Sequence, residues 1–76
     1  MTEEEWMERF ADRLDMLVKK RGFTRGELAE EAGLAESSVC NYIGKRRMPK
    51  VTAILNIAKV FGCEVKELID FGEMIE

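Results

Sequence analysis

Thr24-Arg25-Gly26-Glu27-Leu28-Ala29-Glu30-Glu31-Ala32-Gly33-Leu34-Ala35-Glu36-Ser37-Ser38-Val39-Cys40-Asn41-Tyr42 is the stretch that decides the architecture of this chain. Thr24 and Glu27 stand in capping-box register, where a Thr hydroxyl and a Glu carboxylate three residues on satisfy amide N–H groups that a helix start leaves unpaired. A helix therefore starts at Thr24, and Phe23 just before it is placed to staple onto Leu28. That helix runs only to about Ala32, because Gly33 supplies the positive φ of a tight turn and Leu34 is the next side chain that gains by burial. A second short helix covers about Ala35 to Ile43, with Val39 and Tyr42 or Ile43 turned inward. Ala29 permits close crossing of the two, and Leu34 with Val39 plugs the gap between them. Glu36, Ser37, Cys40 and Asn41 are left to project outward.

Working outward, Trp6, Phe10, Leu14, Leu17 and Val18 recur at helical steps with charged residues between them, which predicts an amphipathic helix over about 3–20. Lys19-Lys20-Arg21 followed by Gly22 supplies the cationic last turn and the glycine that end it. On the other side, Gly44 and the run Lys45-Arg46-Arg47 close the helix of Val39. After Pro49, Ile54, Leu55, Ile57, Ala58 and Phe61 predict a fourth, strongly apolar helix ended by Gly62, and Val65, Leu68 and Ile69 a fifth. No segment alternates with period two, and there is no repeat, linker or low-complexity tract. The expectation is an all-α chain, a compact five-helix bundle forming a single domain over 1–76 with a helix-turn-helix at about 24–43.

The chain has 76 residues, enough for one domain and too few for an added catalytic one. Hydrophobic residues make up 46% and charged residues 36%, which suits a folded core rather than a disordered segment. Cys40 and Cys63 are the two cysteines and histidine is absent, so neither a four-ligand zinc site nor His-based catalysis can be assembled in one chain. An enzyme is not expected, and neither is a metal, a cofactor or a small-molecule ligand. No stretch is apolar for long enough to span a membrane, and Thr2-Glu3-Glu4-Glu5 is the opposite of a basic signal-peptide opening. The expected location is the cytoplasm, with both thiols free. The formal net charge of −3 conceals a division: 1–18 carries 2 basic against 6 acidic residues, 51–76 carries 2 against 5, and 19–50 carries 8 against 4. Binding follows the local field more than the total, so the basic middle is the part suited to an anionic partner.

Read together, Gly22-Phe23-Thr24, Glu27-Leu28-Ala29, Gly33-Leu34, Lys45-Arg46-Arg47 before Pro49, Ile54 through Gly62, and Glu67-Leu68 resemble the phage repressor and Cro family of helix-turn-helix proteins, also called Xre-like, over about residues 10–69. The resemblance implies a lambda-repressor-like DNA-binding domain whose residues 35–43 form the recognition helix. Glu36, Ser37 and Asn41 are then the residues placed to reach base edges, with Ser38 and Cys40 at the margin. Asn can pair with adenine through two hydrogen bonds, Glu can accept from cytosine N4, and Ser can do either. Thr24 and Arg25 at the start of the preceding helix, with Lys45, Arg46, Arg47 and Lys50 beyond the recognition helix, are the candidates for phosphate contacts.

The chain departs from the family pattern in three ways. Ala35, Lys50 and Glu64 stand where the family usually has a capping Ser, at about 1 kcal/mol per lost cap. Val18 and Ile43 replace an ion pair that often joins helix one to the recognition helix, so a hydrophobic contact is expected there. Gly44 and Lys45 reverse the usual polar-then-glycine order. The expected function is a transcriptional regulator, a repressor that binds a near-palindromic operator as a homodimer, with Phe71, Met74 and Ile75 as candidate dimer contacts. The alternative, favoured by the overall acidity and by Glu36, is a helical protein-interaction module such as an antitoxin or adaptor.

Overall fold

Thr2 opens the first helix, and the reason is local: its hydroxyl accepts from the Glu5 N–H at 3.1 Å while the Glu5 carboxylate accepts from the Thr2 N–H at 2.9 Å. A computed structural model describes residues 2–69 and places five helices among them: α1 (Glu3–Arg21), α2 (Arg25–Ala32), α3 (Glu36–Ile43), α4 (Val51–Phe61) and α5 (Val65–Ile69). The all-helical reading and the order of elements hold, with boundaries within a residue or two of those expected. Gly22, Gly33 and Gly62 end α1, α2 and α4 in the left-handed conformation.

The core is built by all five helices together. Phe10 and Leu14 from α1, Leu28 from α2, Val39 from α3, Ile57 from α4 and Leu68 from α5 are its largest fully buried side chains. Each such side chain gains about 1.5–3 kcal/mol from leaving water, and no helix of this length could do so alone. Trp6 stacks on Phe10 with ring centroids 5.3 Å apart, at the edge of the core. Val18 and Ile43 are both buried members of this cluster, at the positions where the family often carries an ion pair.

Two details go beyond the sequence reading. Phe23 and Phe61 pack edge to face, centroids 5.9 Å apart, which joins the side chain before α2 to α4. Leu55 is 47% exposed, and with Val51 at 71% it leaves one outer face of α4 apolar and open. Arginines tie the helix ends: Arg21 donates to the Phe61 carbonyl and lies over the Phe61 ring, and Arg13 donates to the Glu67 carbonyl. These clamps hold α4 and α5 against α1, which leaves α2 and α3 as the face of the molecule free of them.

Candidate nucleic-acid interface

The turn between α2 and α3 follows from Gly33. With φ 70° it reverses the chain so that the Leu34 N–H reaches the Ala29 carbonyl at 2.8 Å and the Gly33 N–H reaches Glu30 at 3.3 Å. Half-buried Leu34 then drops onto the core. Ala35 has no side chain with which to cap α3, and the helix begins at Glu36 with that cap bond absent. What holds α3 is its inner face: Val39, Tyr42 and Ile43 are buried. The opposite face, recurring at the helical period, carries Glu36, Ser37, Cys40, Asn41 and Gly44. Glu36, Ser37 and Gly44 are exposed, whereas Ser38, Cys40 and Asn41 are half-buried.

The far end of α3 closes in an unusual way. The Lys45 N–H bonds to Tyr42 at 3.2 Å and the Arg46 N–H to Asn41 at 2.9 Å, the bond pair of a Schellman ending. Such an ending needs one left-handed residue, and here it is Lys45, at φ 63°, the non-glycine residue with positive φ among those described. Gly44 before it has the ordinary values φ −79°, ψ 2°. The reversed order of glycine and lysine therefore places the backbone strain on the lysine. Lys45 Nζ lies 3.2 Å from the Asp12 carboxylate of α1, an exposed pair of the kind that contributes little to stability. Arg46 turns back over α3: its Nε–H donates to Asn41 Oδ1 at 3.2 Å, and its guanidinium rests on Gly44, where a Cβ would stand 2.7 Å from Nη1.

At the near end, Thr24 and Glu27 form the expected capping box, with bonds of 3.0 and 2.9 Å. The Thr24 oxygen is thus committed as an acceptor, which leaves its O–H as the part able to donate to another group. The Glu36 carboxylate lies against the first turn of α2, 3.4 Å from where a Cβ on Gly26 would be. Arg25 is exposed beside it. The outward face of α3 is consequently bracketed by Arg25 at one end and by Lys45, Arg46 and Arg47 at the other, with exposed Lys50 following at the start of α4.

Residues 13–73 match the model of the Cro/C1-type helix-turn-helix DNA-binding domain. This chain belongs to the Cro/C1-type helix-turn-helix family. The family is one of DNA-binding, non-enzymatic domains, and its members act in transcription regulation. Among solved structures, the domain is similar to the restriction-modification controller protein C.AhdI from Aeromonas hydrophila, at 29% identity and a TM-score of 0.78, over 82% of this chain and 94% of that one. It shares its fold with a hypothetical transcription factor, NHTF, from Neisseria, at 21% identity and TM-score 0.80 over 91% and 80% of the two chains. The SOS-response transcriptional repressor LexA from Eubacterium rectale also shares it, at 17% identity and TM-score 0.84 over 100% and 81%. No curated protein sequence matches the chain.

Sequence reasoning did not anticipate two features of this Cro/C1-type domain: the Asn41–Arg46 hydrogen bond and the Lys45–Asp12 pair. The inverted Gly44-Lys45 order was the available signal for the first; nothing in the sequence pairs residue 12 with residue 45. The candidate dimer contacts Phe71, Met74 and Ile75 lie outside the described residues. Among the described residues no cluster of His, Cys, Asp or Glu could hold a metal ion, and no helix is long and apolar enough to cross a membrane.

Proposed function

We propose that this protein is a transcriptional repressor that binds a near-palindromic operator as a homodimer, inserting α3 of each protomer into successive major grooves about 34 Å apart. The observation that carries this reading is the outward face of α3, which offers polar and small side chains with cations at both ends. Glu36, Ser37 and Asn41, with Ser38 and Cys40 beside them, read base edges; Thr24, Arg25, Lys45, Arg46, Arg47 and Lys50 hold the phosphate strands on either side. The net charge of −3 does not oppose this, because exposed charges farther than about 8–10 Å are largely screened at physiological salt. A domain this small also gains from a partner, and the open Val51 and Leu55 face of α4 supports pairing with a second copy. The cytoplasm, where the duplex is found, is the expected location.

The test is a fluorescence-anisotropy titration of operator-length duplexes across a salt series, with sedimentation velocity on the same samples. If Arg25, Lys45, Arg46, Arg47 and Lys50 each neutralise one phosphate, log K falls against log salt with a slope of about −4.5 per protomer. The expected complex contains two protomers per duplex. A flat salt response, or a complex of one protomer, would overturn the corresponding part of the reading.

A further inference from the structure

Five cations stand where the phosphate strands would pass, and they are not equally ready to bind. Arg25, Arg47 and Lys50 are exposed, and none has a carboxylate at ion-pair distance among the described residues. Arg46 is held by a neutral partner, the Asn41 amide oxygen. Lys45 is different: its Nζ lies 3.2 Å from Asp12 Oδ1, a carboxylate that α1 brings from far away in the sequence. Lys45 occupies the left-handed position of the α3 ending, at φ 63°, where the usual glycine would offer no side chain at all. Asp12 stands on the outer side of α1, with Arg9 and Arg13 along the same surface. The two side chains of the pair are 42% and 73% exposed, so the pair opens without stranding a charge in the core.

We infer that Asp12 sets the strength of DNA binding by competing with phosphate for Lys45, and so weakens the grip on every duplex alike. Two arrangements are available when a phosphate oxygen reaches Lys45, and Asp12 opposes binding in both. If the ammonium leaves Asp12, the ion pair is lost and its energy is subtracted from the new contact. An ammonium has three N–H donors, so it can also keep Asp12 and take the phosphate as well. The two anionic oxygens then stand no more than roughly 6 Å apart, two hydrogen-bond lengths. That is inside the screening length of about 8 Å at physiological salt, so the like charges repel. A phosphate contact carries no base information, so the effect falls equally on selected and unrelated duplexes. Asp12 is in this account a positioning residue that acts through Lys45. The inference rests on the DNA-binding reading above and deepens it.

The test titrates two duplexes, one selected from a random pool by the wild-type protein and its shuffled counterpart. The proteins are wild type, Asp12→Asn, Asp12→Glu, Lys45→Gln, the double variant of Asp12→Asn with Lys45→Gln, and Asp15→Asn. Asp12→Asn is expected to tighten both duplexes by about 2- to 5-fold per protomer, the range of an exposed ion pair. The gain should shrink as salt rises toward about 1 M, where screening shortens to about 3 Å. Asp12→Glu keeps the charge and should bind as wild type does. In the Lys45→Gln background the change at residue 12 should do little, which separates competition for Lys45 from any influence of Asp12 on Arg9 or Arg13. Asp15→Asn removes the exposed Asp15–Lys19 pair from the same helix and reports the effect of one lost negative charge, which should be the smaller. In the free proteins, the 15N signal of the Lys45 ammonium should move in Asp12→Asn and stay in place in Asp15→Asn.

Unchanged affinity in Asp12→Asn, an equal gain in Asp15→Asn, or a gain that persists in full with Lys45→Gln would overturn the competition while leaving the regulator reading intact. A gain confined to the selected duplex would overturn its indifference to sequence. A wild type that enriches no duplex, with the ammonium signal moving as expected, would instead overturn the regulator reading and the inference with it.

Discussion

Replacing Gly33 with Ala isolates the backbone requirement of the helix-turn-helix from everything around it. Gly33 holds φ 70°, and a Cβ added there would meet nothing within 4 Å, so the substitution introduces strain without a clash. A left-handed conformation costs an ordinary L-residue about 1–2 kcal/mol, while alanine stiffens the unfolded chain and returns about 0.4–1 kcal/mol. The net expectation is a loss of about 1 kcal/mol. For a domain of this size that lowers Tm by about 4–8 °C, read by circular dichroism at 222 nm. Gly33→Asn should fall between the two, because Asn tolerates the left-handed region better than Ala. A Tm for Gly33→Ala equal to or above wild type would refute the claim that the turn between α2 and α3 depends on a positive φ at this residue.

Lys45→Gly reverses the logic: relief of the strain at φ 63° outweighs the loss of an exposed ion pair, so Tm should rise by a few degrees while affinity for every duplex falls, with the salt slope shallower by about 1. Leu14→Ala removes a fully buried α1 side chain and should cost about 2–5 kcal/mol, enough to unfold much of a small domain at 37 °C as measured by urea denaturation. The Glu5 carboxyl is held below its ordinary range chiefly by the Thr2 backbone N–H, so its support of α1 is fully present above that range and lost as the pH falls through the lowered value; amide protection at residues 5–8, taken relative to the intrinsic exchange rate at each pH, should fall on acidification in wild type and stay constant over the same range in Glu5→Gln.

How far the sequence could be read depends on whether the deciding interaction is local. The α2 start was legible because Thr24 and Glu27 settle it between themselves, and the turn was legible because glycine at residue 33 is the residue suited to a left-handed link. The outward face of α3 followed from periodicity alone, once Val39, Tyr42 and Ile43 were assigned inward. Arg46 was legible as a cation near the end of α3, yet its bond to Asn41 was not, because that bond exists only if Lys45 accepts a conformation more natural to glycine. Leu55 lies in an apolar run, and periodicity within α4 does not say which neighbour the helix lacks on that side. Phe23 had a plausible local partner in Leu28, but its packing with the Phe61 ring, distant in sequence, left no local signal.

The claim that α3 faces DNA is tested most directly by amide chemical-shift mapping of the 15N-labelled protein during titration with its selected duplex. The account predicts that the largest changes fall on 24–26, 36–41 and 44–50, with the Trp6 end of α1 unmoved. Changes centred on α1 or α5, with residues 36–41 unaffected, would contradict it.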